Sequence, residues 1–174
     1  MLKQQDYFLS FEPRKTIRKY VSGESHFYLG RQYQLILIDS DEKTVKNIGG
    51  KIEIRTHNFD NAEKLLEAWY LNKSKKWFHN IAEPLINQFK KYQVEPKKIE
   101  IRKMQNRWGS CSTKGRILLN PELIKAPKAC IEYVIIHELC HLVHRDHTKA
   151  FFDLQQKEFP EWKKWKNKLE VLLA

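Results

Sequence analysis

Four of the seven histidines fall within eleven residues, His137-Glu138-Leu139-Cys140-His141-Leu142-Val143-His144-Arg145-Asp146-His147, directly after the apolar run Val134-Ile135-Ile136. No other feature constrains the fold as tightly. Pro127 suits the opening of a helix, because its missing N–H would be unpaired in the first turn anyway, and Ile131, Val134, Ile135, Leu139 and Leu142 carry an apolar face onward. On that helix His137 and His141 lie one turn apart and about 40° around the axis. Two imidazole nitrogens so placed reach one zinc ion at roughly 2.0–2.1 Å. Glu138 stands beside them and can take a proton from a metal-activated water without being a ligand, which is the chemical content of the HExxH pattern. A shuffled chain of this composition yields the pattern about 2% of the time, so coincidence explains it poorly.

Two histidines compete to be the third ligand. His144 shares the face of His137 but lies two turns, roughly 10.5 Å, along the axis, farther than one ion spans. His147, six residues after His141, has the spacing expected when the helix ends sharply and the chain folds back beneath the metal. The metal ligands are therefore read as His137, His141 and His147. His144 is read as the turn residue, in the place that glycine takes in metzincins, with the left-handed backbone that histidine tolerates better than most. No methionine follows the motif, so a metzincin Met-turn is absent. Three protein ligands leave a fourth position open to water, as in catalytic zinc sites. Cys140 points about 60° away from His137 on the helix and is read as a buried, inert thiol.

The rest of the chain reads as a mixture of strands and helices. Tyr33-Gln34-Leu35-Ile36-Leu37-Ile38 and, after Gly49-Gly50, Lys51-Ile52-Glu53-Ile54-Arg55 are expected as strands of one antiparallel sheet. Asp60 with Glu63 resembles a capping box. Leu65, Leu66, Trp69, Tyr70, Trp77 and Ile81 then space a long amphipathic helix, bent or broken near Pro84. Ile99-Glu100-Ile101 reads as a third strand, and the runs around Arg107–Ser112 and Arg116–Asn120 as a hairpin. Trp162, Trp165, Leu169 and Leu172 mark a last helix whose aromatic stripe faces the core. At 174 residues this is an α+β chain of one domain, β-rich over about 1–57 and catalytic over about 97–174.

Lys and Arg exceed Asp and Glu by eleven, which keeps an acidic partner such as nucleic acid open. The excess is spread evenly, +5 over residues 1–100 and +6 over 101–174, so it reads mainly as a solvated surface. The opening Met1-Leu2-Lys3-Gln4-Gln5-Asp6 lacks the apolar core of a secretory signal, and no apolar stretch approaches a membrane span. Three cysteines without a CxxC pair fit neither a disulfide framework nor a zinc knuckle. A cytoplasmic protein without a membrane partner is expected.

The segments Val21-Ser22-Gly23-Glu24, Tyr28-Leu29-Gly30-Arg31, Arg107-Trp108-Gly109-Ser110-Cys111-Ser112, Leu119-Asn120, Ala126-Pro127, Tyr133 through Leu142 and Asp146-His147-Thr148 resemble the YgjP-like zinc metallopeptidases. These are bacterial zincins, with SprT-like proteases as more distant relatives, and the resemblance runs from about residue 12 to the C-terminus. It implies a zincin-like α+β fold, a small antiparallel or mixed sheet packed on helices that include the HExxH helix. It also implies zinc on His137, His141 and His147, Glu138 as catalytic base, and a peptide or protein substrate. The family often carries a further β segment ahead of the YLGR-like block, so either a shorter sheet or a trimmed chain is expected here. Phe151-Phe152 replaces an aromatic pair that often ends in Trp, an exchange expected to be neutral.

In zincins a sheet strand borders the cleft and pairs with extended substrate, a role the hairpin over 99–120 is placed to take. Trp108 is a candidate wall of that cleft and Arg107 a candidate for steadying a developing oxyanion; plain core packing and a surface ion pair are their alternatives. A second functional class is a basic, nucleic-acid-associated zinc protein, either a DNA-linked protease or a non-catalytic binding module. Glu138 between the ligands favours catalysis, because a purely structural site has no use for an acid there.

Overall fold

A computed structural model describes residues 18–173; the opening residues 1–6 lie outside the described part. Four strands, β1 (Ser25–Tyr28), β2 (Arg31–Ile38), β3 (Thr44–Ile48) and β4 (Lys51–Arg55), form a sheet of order β1-β2-β4-β3. β2 and β4 are neighbours, but they pair in parallel, with Leu35 beside Ile52 and Leu37 beside Ile54. This corrects the antiparallel expectation. Alternation places Leu35, Ile52 and Ile54 on the buried face but says nothing of strand direction. The antiparallel position beside β4 is taken by β3, joined to it through Gly49 and Gly50, both at positive φ.

The turn between β1 and β2 does more than reverse the chain. Leu29 and Gly30 both have positive φ, and their N–H groups donate to the carbonyls of Ile124 and Lys125 at 2.8 and 3.0 Å. A Cβ on Gly30 would lie 2.7 Å from Pro127 Cγ, so only glycine lets the turn close on the residues that lead into the metal-motif helix.

The long helix α1 spans Ala62–Phe89. Its approach is capped by Asn58, whose side chain accepts from the Asp60 N–H at 2.9 Å to open a single 3-10 turn. Asp60 is therefore inside that turn and caps nothing, contrary to the capping-box reading. Nor does Pro84 break the helix. Pro84 and Asn80 are both exposed, so the Asn80 carbonyl that loses its partner faces water.

A second sheet of order β5-β7-β6 joins β5 (Lys98–Ile101), β6 (Gly109–Cys111) and β7 (Arg116–Leu119). β6 and β7 form the expected hairpin, and β5 lies parallel to β7. Then follow α2 (Lys128–Val143), α3 (Lys149–Glu158) and α4 (Trp162–Leu173), with Trp162 and Leu169 of α4 turned inward as expected. The fold is α+β, and α2 runs through its middle: Cys130, Ile131, Ile135, Leu139 and Cys140 are fully buried, in one core with Phe78 and Phe89 of α1. Among the described residues no helix is long and apolar enough to cross a membrane.

Candidate metal centre

α2 delivers His137 and Glu138 into the interior, where both are buried. The His137 Nδ1–H donates to Gln155 Oε1 of α3 at 2.8 Å, and the His141 Nδ1–H donates to the Arg145 carbonyl at 3.0 Å. Each bond places the ring proton on Nδ1 and leaves Nε2 as the unprotonated nitrogen.

The helix stops where its last N–H, from His144, reaches the Cys140 carbonyl at 2.8 Å. His144 then takes an extended backbone, φ −128° and ψ 112°, which corrects the left-handed turn expected of it. The reversal is spread over several residues: the Arg145 carbonyl ties back to His141, and the Thr148 N–H closes on the Asp146 carbonyl at 2.7 Å. No single residue has to adopt a strained conformation. His144 stays outside the cluster, and the reversal swings His147 under α2.

The donor atoms of His137, His141 and His147 all lie within 4.8 Å of one another, with His147 Nε2 only 3.1 Å from His137 Nε2. Two nitrogens bound tetrahedrally to one zinc ion at 2.0–2.1 Å sit about 3.3 Å apart, so the observed spacing fits a shared metal. Phe151 of α3 forms the floor. It is fully buried, with its ring centroid 5.0, 4.7 and 4.7 Å from those of His137, His141 and His147.

Electrostatics prepare the same state. Burial holds the imidazoles well below their usual range, His137 near 3 and His147 near 4, with His141 shifted the same way; mutual repulsion adds to the effect on His137 and His147. All three are neutral at pH 7, as metal ligation requires. Burial pushes Glu138 up to about 8, while the Arg107 charge pulls it back. Its carboxylate is pinned from the other side by β6, where a Cβ on Gly109 would come within 2.5 Å of Glu138 Oε1.

The cluster opens into a cleft of about 520 Å³ bounded by β6, the turn after it and the end of α2. Arg107 lines this cleft; Trp108 does not, and packs against the core instead. Cys111 lines it too, but burial raises its thiol to about 11, and that of Cys140 to about 12, so neither offers a thiolate at neutral pH. Gln155, Phe151 and Gly109 are the site residues that sequence reasoning missed. Gln155 left a signal: it falls on the buried stripe of α3 with Phe151, Leu154 and Glu158, where a polar side chain needs a buried partner.

The model of the YgjP-like metallopeptidase domain family matches residues 1–171. The chain belongs to the YgjP-like family. Among solved structures, this YgjP-like chain matches the metallopeptidase zymogen of Pyrococcus abyssi abylysin at 28% identity and a TM-score of 0.48, covering 53% of this chain and 94% of that one. No curated protein matches it significantly.

Proposed function

We propose that this YgjP-like domain is a zinc-dependent peptidase in which His137, His141 and His147 hold one zinc ion and Glu138 is the general base. The observation that carries this reading is the convergence of three neutral imidazoles beside the buried Glu138 carboxyl group at the base of an open cleft. A zinc ion held there supplies Lewis acidity, polarising the scissile carbonyl and acidifying water. The remaining work falls to the chain itself.

Hydrogen bonds from Asn120 N–H to the Trp108 carbonyl and from Ser112 N–H to the Arg116 carbonyl turn the main chain of 108, 110 and 112 toward β7. The alternate residues Gly109 and Cys111 therefore aim their N–H and C=O groups at the outer edge of β6, where no strand of the described residues pairs. An extended peptide pairs with that edge and lies across the cleft. Glu138 accepts a proton from the attacking water and delivers it to the departing amine; burial favours its protonated form, while the positive charge of Arg107, and of a metal held beside it, favours the carboxylate that takes that proton. Arg107 lends positive charge at the cleft, where a developing oxyanion needs it. Gln155 and the Arg145 carbonyl keep the imidazoles oriented. The cysteines among the described residues are all free, which suits a reducing cytoplasm.

The test strips the protein with a chelator and reloads it with zinc in the presence of an unbiased peptide mixture. Hydrolysis is expected to return as zinc approaches one equivalent. A zinc-loaded, folded protein that cleaves nothing in the mixture contradicts the proposal.

A further inference from the structure

The cleft carries a charge pattern that hydrolysis does not require. Four cations of the described residues line it: Lys97 ahead of β5, Arg107 ahead of β6, Lys114 on the β6–β7 turn and Arg145 after α2. Among the described residues, the only acid on its walls apart from Glu138 is Glu95. On the neighbouring strand face Lys98 and Arg116 are both engaged by Glu100, whereas Lys97, Lys114 and Arg145 have no ion-pair partner among the described residues. Lys97 and Lys114 also sit together. The Lys97 N–H donates to the Gly115 carbonyl at 2.8 Å, and the Lys97 stem packs over Gly115, next to Lys114.

We propose that this cleft selects acidic peptides, with Lys97 and Lys114 reading negative side chains at the Cys111 end of β6. This selection rests on the peptidase reading for turnover, and for binding on the charge and shape of the cleft. Like charges crowded along a concave wall raise the local potential, and a carboxylate placed between them relieves their repulsion while gaining their attraction. The main-chain groups of Gly109 and Cys111, which pair with no strand among the described residues, match an extended peptide backbone running between the cations. A single-stranded nucleic acid carries the same sign of charge, but it binds such grooves by stacking its bases on aromatic rings. Among the described residues that line the cleft, none is Phe, Tyr or Trp.

The experiment uses the zinc-loaded full chain. Binding is read by fluorescence anisotropy in the Glu138→Gln variant, with labelled decapeptides that are Glu-rich, uncharged or Lys-rich, and with a single-stranded DNA oligonucleotide. Turnover of the same peptides is read in the Glu138 protein. The Glu-rich peptide is expected to bind at least about tenfold tighter than the uncharged one at physiological salt, and kcat/KM to follow the same order. Lys97→Glu/Lys114→Glu is expected to erase the preference. Lys75→Glu/Lys76→Glu, which makes the same charge change on the exposed face of α1, is expected to leave it intact.

Acidic-peptide binding without turnover supports the selection and removes the peptidase reading. Turnover with no acidic preference overturns the selection and leaves the peptidase standing. Loss of the preference in the α1 variant, tighter binding of the oligonucleotide than of the Glu-rich peptide, or no binding of any peptide each overturns it as well.

Discussion

Gly109→Ala perturbs the proposed general base without touching it chemically. The added methyl would lie 2.5 Å from Glu138 Oε1, 2.9 Å from Glu138 Cγ and 2.9 Å from Val134 Cγ1. Carbon atoms rest at about 3.5–4.0 Å, so the two carbon contacts are short by roughly 0.6 Å or more. β6 cannot simply retreat. It is held to β7 by the 2.8 Å bonds from Asn120 N–H to the Trp108 carbonyl and from Ser112 N–H to the Arg116 carbonyl. α2 is fixed in the core. The carboxylate, as the far end of a side chain, is the group that gives.

The stability cost should therefore sit near the low end of overpacking, about 1 kcal/mol. The functional cost should be larger, because a displacement of about 1 Å at a reacting group lowers the rate on the order of 10²-fold. The assay combines kcat/KM on a cleaved peptide with zinc content and thermal unfolding. The expected result is a loss on the order of 10²-fold in kcat/KM with zinc retained and only a small drop in Tm. Activity within twofold of the parent protein would refute the idea that β6 positions Glu138. Loss of zinc together with activity would move the effect from the base to the ligands.

His147→Ala is expected to lose zinc while His144→Ala keeps it, as read by metal analysis; the reverse pattern reassigns the third ligand. Gln155→Leu removes the acceptor for the His137 Nδ1–H and should weaken zinc binding about 10–100-fold in a competition titration, with the fold retained. His26 is buried, and burial aided by Arg18 lowers its pKa from 6.5 to about 4, so between these values the unfolded chain binds more protons than the folded one. Stability from this group is full above about 6.5, falls as pH drops through that window and levels off below about 4, a loss of about 3 kcal/mol. In zinc-free protein, denaturant unfolding between pH 7 and 4 should show a shallower pH slope for His26→Leu than for the parent; identical slopes contradict the assignment.

The centre of the site was legible because helix geometry is local. The spacing of His137 and His141 dictates one face, and the distance to His144 excludes it before any tertiary contact is known. The missed parts depend on what approaches from elsewhere. Gly109 stands inside a run read as one strand of a hairpin, and only the packing of β6 on α2 gives it a steric reason. The parallel pairing of β2 with β4 was hidden because alternation defines a face and not a partner, and because Thr44-Val45-Lys46-Asn47-Ile48 is a weak strand pattern for the segment that takes the antiparallel place. Asp60 looked like a cap through its spacing to Glu63, whereas the chain starts its turn two residues earlier at Asn58. Trp108 stood equally between cleft and core until the fold placed it in the core.

In the proposed mechanism Glu138, beside three histidines, drives peptide hydrolysis on a metal that it does not bind. The most direct measurement compares Glu138→Gln with the parent chain, both loaded with zinc, in the same peptide-cleavage assay with metal content determined on the same samples. Both proteins are expected to hold near one zinc per chain and to unfold at the same temperature, with hydrolysis by the variant lower by at least about 10²-fold. Equal hydrolysis by the two proteins would contradict it.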